Sequence, residues 1–170
     1  MKKKIGLFGG TFNPIHHGHL KMAEAARKEY KLDMVYFIPC GVPPHKSAKD
    51  LLPAKLRYER VKKAIMGKKY FKVLDIEIKK KKPCYTIDTV NSLVMACHGK
   101  PQQWFFLIGQ DEFEQLHIWT RANQLVKQVI FLVLPRLSKK IKLPRIKNLK
   151  WFNVHTKIIN ISSTEIRKKG

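Results

Sequence analysis

The chain has 170 residues, 44% of them hydrophobic, and its 35 Lys and Arg against 12 Asp and Glu give a formal charge of +23. That length fits one domain, residues 1–170, and the apolar fraction supports a core and excludes a disordered chain. No apolar run reaches membrane-spanning length and "MKKKIGLFGG" lacks the apolar core and cleavage site of a secretory leader, so a cytoplasmic protein with no membrane partner is expected.

Residues 4–10, "KIGLFGG", read as a short buried strand ending in a glycine turn. "HLKMAEAARKEY" carries Leu20, Ala23, Ala26 and Tyr30 at helical spacing, and "MVYFIP" (34–39) is a second apolar run stopped by proline. "GVPPHKSAKDLLP" reads as a loop, because Pro43 and Pro44 continue neither regular element. Pro53 suits the first position of a helix over "AKLRYERVKKAIM". "FKVLDIEI" alternates as a strand, and "TIDTVNSLVMACH" reads as a helix stopped by Gly99. "QWFFLIG" is a buried strand, "QLVKQ" a helix, "VIFLVLP" a strand and "WFNVH" a last short strand. Strands alternating with helices predict an α/β fold, a parallel sheet with helices on both faces, without repeat or linker. Ligands of such sheets bind at the carboxyl ends of the strands, near the switch in strand order.

A chain this basic attracts polyanions. Its basic blocks (Lys2 to Lys4, Lys79 to Lys82 and Lys139 to Lys150) lack interleaved stacking aromatics, so they read as solvated surface and no specific nucleic-acid partner is expected. Cys40, Cys84 and Cys97 form no C-x-x-C pair and read as reduced thiols.

The segment that carries chemistry is "GGTFNPIHHGH", residues 9–19, at the carboxyl end of the first strand. G-x-G-x-x-G is absent, which disfavours a nicotinamide-dependent dehydrogenase. Gly9 and Gly10 let a ligand approach the backbone, and Gly18 opens the first helix. His16 and His19, three apart, can face one side, whereas His17 points elsewhere. No cysteine or carboxylate nearby completes a zinc shell, so a phosphate site is favoured and no resident metal is assigned. At the other end, "ISSTEIR" has Ser162 three residues before Glu165, a capping-box spacing. Ser162, Ser163, Thr164 and Arg167 at that helix start make a second anion site.

These residues resemble a known superfamily. His16-His17-Gly18-His19 is similar to the (H/T)-x-G-H signature of nucleotidyltransferases, and "ISSTEIR" to their I-S-S-T-x-I-R motif. "FIPCGVPPHK", "YTIDTV" and "FLIGQDEFEQLHIWTR" narrow the resemblance to bacterial nicotinate-mononucleotide adenylyltransferases, across residues 4–167. The resemblance implies a single Rossmann-like nucleotidyltransferase domain that makes deamido-NAD and pyrophosphate from ATP and nicotinate mononucleotide in NAD biosynthesis. The alternative is a sister enzyme acting on nicotinamide mononucleotide or phosphopantetheine; pantetheine-phosphate enzymes typically have Thr in place of His16.

By that resemblance, His16, His19 and Arg167 are catalytic. ATP is met by Gly9, Gly10, Thr11, Phe12, His16, His19, Ser162, Ser163, Thr164 and Arg167, with Arg136 near adenine. Lys46, Tyr85, Thr86, Gly109, Asp111 and Trp119 meet the mononucleotide. Trp119 stacks on the pyridine ring, Thr86 presents helix-start donors to its carboxylate, and Asp111 accepts from a ribose hydroxyl. Lys46 adds a cation near the phosphates. Mg²⁺ accompanies ATP, held by phosphate oxygens and water. The chain departs from the family at Asn13, usually Asp, and at "LPRLSKK", usually an Arg-Pro-Gly turn. Family members also continue one or two helices past "ISSTEIR", and the helix expected here has about two turns, marginal without tertiary support.

Overall fold

The N-terminal apolar run becomes strand β1 (Lys3–Gly10), and helix α1 (His17–Tyr30) follows a short turn. β2 (Met34–Pro39) fills the predicted run and ends at its proline. The structure, a computed structural model, describes residues 2–43, 51–97, 101–135 and 140–155. Within them follow α2 (Ala54–Ala64), β3 (Phe71–Val73), α3 (Thr86–Ala96), β4 (Gln102–Gly109), α4 (Gln110–Glu114), a 3₁₀ turn (Leu116–Ile118), α5 (Ala122–Gln128), β5 (Ile130–Leu134) and β6 (Trp151–Asn153).

All strands pair in parallel, in the order β3-β2-β1-β4-β5-β6. The inner strands are buried on both faces, which is why they read as continuous apolar runs. One face packs Leu7, Phe106 and Phe131 against Ile87 and Val90 of α3, Phe113 of α4 and Leu125 of α5. The other packs Phe37, Phe105 and Leu132 against Ala23 and Ala26 of α1 and Val61 and Ile65 near α2. Helices therefore cover both faces, as the alternating pattern predicts.

Three elements differ from expectation. Pro53 caps α2 rather than starting it, and the helix ends at Ala64. "FKVLDIEI" forms a strand only over Phe71–Val73. The Leu74 amide still donates to Phe37 O at 2.9 Å, but residues 76–79 then turn, and Lys80 N–H closes on Glu77 O at 3.0 Å. Leu74 and Ile76 pack against the α3-side core, so their apolar character serves a turn rather than a longer strand. The third is α4, which starts directly after β4 with no intervening loop. The expected Gly99 stop and the helix from Ser162 lie outside the described residues.

Two ionisable side chains are buried beside the carboxyl ends of the strands. Arg57 on α2 is 0% exposed and Glu77 in the turn after β3 is 8% exposed. Arg57 donates to three backbone carbonyls: Leu52 O at 2.8 Å, Thr11 O at 2.7 Å and Gly41 O at 2.9 Å. Glu77 accepts from Thr89 Oγ1 of α3 at 2.7 Å. Gly41 lies between them, and a Cβ there would stand 2.2 Å from Glu77 O, so only glycine fits. Burial pushes the Glu77 carboxyl up, against the lowering effect of hydrogen bonds from Thr89 and Cys40.

That shift has a consequence for stability. Below the ordinary carboxylate range Glu77 is protonated whether folded or unfolded, and no penalty arises. As pH rises through the raised native value, the unfolded state ionises more easily, and stability is lost. Glu77→Gln keeps a carbonyl oxygen for Thr89 and cannot ionise. Its stability relative to the parent should therefore be more favourable at pH 8 than at pH 4, measured by denaturant midpoints; an identical difference at both values would remove the burial argument.

Candidate active site

The strand order reverses between β1 and β4, and a cavity of about 220 Å³ opens at their carboxyl ends. Gly9, Gly10 and Thr11 form one rim and Ile108 and Gly109 the other. Cys40 and Pro43 come from the loop after β2, and Glu77, Cys84, Tyr85 and Thr86 from the segment entering α3. Glu112 of α4, Trp119 and Thr120 close the remaining side over Phe106. A Cβ on Gly109 would meet nothing within 4 Å, so bare backbone borders open space there.

Thr86 is the first residue of α3, and no side chain caps that helix start. Its first amides and positive dipole end therefore face the cavity wall with no competing acceptor from a cap. Trp119 is half-buried, and its ring stands edge-on to Phe106, with centroids 6.0 Å apart at 89°. Arg121 pairs with Asp88 of α3, which ties the Trp119 segment to the same helix.

The histidines are not among the residues that line this cavity. His16 is the N-cap of α1 and His19 its third residue. Their rings overlap, with centroids 3.8 Å apart and 31° between planes. The His16 amide donates to His19 Nδ1 at 3.3 Å, which fixes Nδ1 as acceptor and places the proton of the neutral ring on Nε2. His19 also packs edge-on against Phe12, at 5.1 Å. His17 is exposed and takes no part in the ring pair.

Phe12 holds the turn between the two regions. Its backbone is left-handed, with φ 45°, an uncommon state for a bulky residue, and its ring is 2% exposed among Phe8, Phe37 and His19. Only the Phe12 backbone is available to a ligand. Asn13 Oδ1 accepts from the Leu52 amide at 3.1 Å, a bond that an aspartate oxygen would make equally well.

The sequence-derived set divides accordingly. Gly9, Gly10, Thr11, Tyr85, Thr86, Gly109 and Trp119 share one cavity, while His16 and His19 form a ring pair that is not part of its lining. Asp111 is exposed on α4, and its neighbour Glu112 lines the cavity instead. Lys46, Arg136, Ser162, Ser163, Thr164 and Arg167 lie outside the described residues. Sequence reasoning missed Cys40, Glu77, Cys84, Glu112 and Thr120. Burial, then neighbouring Glu77, pushes the Cys40 thiol up to about 12, so it stays protonated and unreactive at neutral pH. All three cysteines are free thiols. Among the described residues, no three His, Cys, Asp or Glu side chains converge to hold a metal ion, and no helix is long and apolar enough to cross a membrane.

Comparison with known proteins identifies the family. The cytidylyltransferase-like family matches residues 7–169. A Dehalococcoides mccartyi protein named probable nicotinate-nucleotide adenylyltransferase is 43% identical, over 80% of this chain and 66% of its own length. A Clostridium acetobutylicum protein of the same name is 41% identical, over 99% of this chain and 87% of its own. In structure, the Plasmodium falciparum nicotinic acid mononucleotide adenylyltransferase complexed with NaAD superposes with a TM-score of 0.77 at 19% identity, covering 98% of this chain and 83% of that one; at that identity it shows the fold. The chain belongs to the nicotinate-nucleotide adenylyltransferase family, on the cytidylyltransferase-like fold.

Proposed function

We propose that this chain transfers the adenylyl group of ATP to nicotinate mononucleotide, giving deamido-NAD and pyrophosphate. The observation that carries this reading is the shared cavity at the strand-order switch, where the glycine loop Gly9–Thr11 meets Tyr85, Thr86 and Trp119. One rim suits phosphates, and the opposite wall suits a flat, anionic ring.

In this reading the 5′-phosphate oxygen of the mononucleotide attacks the α-phosphorus of ATP. A phosphorus–oxygen bond forms, the bond to the bridging α–β oxygen breaks, and pyrophosphate carries that electron pair away. The nucleophile is already anionic, so no general base is required. The work left to the protein is alignment and charge stabilisation. His19 supplies an Nε2–H donor to the phosphates, oriented by the His16 amide, and His16 stacks beside it. Backbone donors at Gly10 and Thr11 border the same passage.

On the acceptor side, Trp119 stacks on the pyridine ring while the uncapped start of α3 at Thr86 receives its carboxylate. Tyr85 and Gly109 frame the mononucleotide, and Asp111 or its lining neighbour Glu112 accepts from a ribose hydroxyl. Lys46, Ser162, Ser163, Thr164 and Arg167 complete the phosphate contacts, with Arg167 holding the departing pyrophosphate and Arg136 near adenine. Mg²⁺ accompanying ATP would be held mainly by the triphosphate and water, since no described His, Cys, Asp or Glu cluster is placed to bind it, and would neutralise charge on the phosphates.

The reading is tested by pyrophosphate release from ATP with three acceptors: nicotinate mononucleotide, nicotinamide mononucleotide and phosphopantetheine. Fastest turnover is expected with the first; a preference for either other acceptor would transfer the chain to a sister activity. His19→Ala should lower turnover about 100-fold or more, the scale of one lost transition-state donor, with a stability loss of about 1 kcal/mol from the helix start. Near-normal turnover would sink its catalytic role. Trp119→Ala should raise the KM for the mononucleotide and leave that for ATP unchanged; the reverse pattern would show that the acceptor wall has been placed on the wrong side.

A further inference from the structure

Arg57 stands on the buried face of α2, and its planar fork reaches three separate pieces of backbone. Nη1 donates to Thr11 O at 2.7 Å, Nη2 to Gly41 O at 2.9 Å, and Nε to Leu52 O at 2.8 Å. Among the described residues no carboxylate contacts it. Thr11 belongs to the phosphate-side rim of the cavity, and Gly41 lies in the loop after β2 between Cys40 and Pro43; next to it Val42 O accepts from the Cys84 amide at 3.1 Å, which joins that loop to the segment carrying Tyr85 and Thr86 of the acceptor wall. One guanidinium, rigid and planar, therefore ties the Thr11 rim to the loop that is joined to the acceptor wall and fixes their separation.

The bond to Thr11 also sets direction. In a trans peptide the carbonyl and the following amide point opposite ways. With the Thr11 carbonyl drawn down onto Arg57, the Phe12 N–H is turned away from the buried guanidinium. This is the turn in which Phe12 adopts φ 45°, a conformation that persists only where its surroundings impose it. Gly41 is held from its other side as well, by Glu77 O, which leaves it no room to retreat from Arg57.

We infer that Arg57 is a positioning residue for adenylyl transfer: its fork locks the left-handed turn at Thr11–Asn13 to the Gly41 loop, and so sets the distance between the phosphate rim and the acceptor wall. This rests on the adenylyl-transfer reading. Alignment of the phosphate rim with the acceptor wall matters most when the two substrates react, so the loss on perturbing Arg57 falls on kcat rather than on either KM. A lysine, a point charge on a flexible stem, cannot serve three carbonyls in fork geometry.

The test compares Arg57→Lys and Arg57→Gln with Val61→Ala. Val61 lies one turn further on the same buried face and touches none of these carbonyls, so its loss weakens α2 without freeing the loops. Each variant is measured for thermal midpoint, kcat, and KM for ATP and for nicotinate mononucleotide. Arg57→Lys should lower kcat by about 100-fold with both KM values within about threefold, the cost of misplacing reactants by about 1 Å. Val61→Ala at a comparable loss of thermal midpoint should keep kcat within about twofold, because the loops remain aligned. A kcat for Arg57→Lys and Arg57→Gln that matches Val61→Ala overturns the inference, as does a loss confined to KM. Failure of both Arg57 variants to fold assigns the residue to stability alone and overturns it too. The parent protein in the same assay separates the two levels: no parental turnover sinks the reaction itself, whereas parental turnover with unaffected variants sinks only the role of Arg57.

Discussion

The reversal of strand order at β1 is the constraint from which the rest follows. β1 pairs with β2 on one side and β4 on the other, all parallel. The chain leaving β1 enters α1 on one face of the sheet, whereas the chain leaving β4 enters α4 on the opposite face. Two connections that diverge from adjacent strand ends cannot cover the gap between them. The cavity is that gap, and Gly9, Gly10 and Gly109 are the strand ends that border it. Substrate placement is thus a consequence of topology before any side chain is considered.

The distribution of charge is consistent with this division of labour. The exposed cations Lys21, Lys28 and Lys31 of and after α1, and Lys55, Arg60, Lys62, Lys63, Lys68 and Lys69 of and after α2, lie on the outer helices of one face. Helices α3 and α4, on the other face, contain no Lys or Arg. None of those exposed cations lines the cavity, whose described polar groups are neutral donors, backbone and two carboxyl groups. Burial pushes the carboxyl of one of the two, Glu77, up from the usual range. The charge of +23, part of it carried on these helices away from the described cavity lining, draws polyanions to the molecule at long range and in a salt-dependent way.

How far the molecule can be read from its residues depends on whether a feature is periodic. Buried strands such as "MVYFIP" and "QWFFLIG" were legible because apolar runs bounded by turn residues have few other uses. The strand expected over "FKVLDIEI" was overextended, since Leu74 and Ile76 bury themselves in a turn that mimics alternation. α4 was invisible: five residues, "QDEFE", make too short a pattern to register as a helix. The cavity residues carried by motif, Tyr85, Thr86 and Trp119, converge because the motifs mark the mouths of successive strands. Glu77 gave no local signal, for its partner Thr89 is set by tertiary packing. Arg57 did give one. It shares the 57, 61, 65 spacing with Val61 and Ile65, and an arginine on the apolar stripe of an amphipathic helix must find buried acceptors.

Those acceptors explain why a buried cation is tolerated without a described carboxylate beside it. Glu77, of opposite sign, stands on the other side of Gly41, and yet the two side chains do not pair. A direct ion pair would satisfy both charges, but it would release the carbonyls of Thr11, Gly41 and Leu52. Truncating one member of such a pair, rather than the pair itself, is what usually costs stability. Here the guanidinium is satisfied by backbone, so its charge stays uncancelled beneath the Thr11 loop. The same three bonds hold a left-handed phenylalanine in place between the cavity and the stacked histidines. A strained turn, a buried acid and a carbonyl-bound cation are each unfavourable alone. Their adjacency at the end of β1 places them where a rigid passage between two anionic substrates is needed.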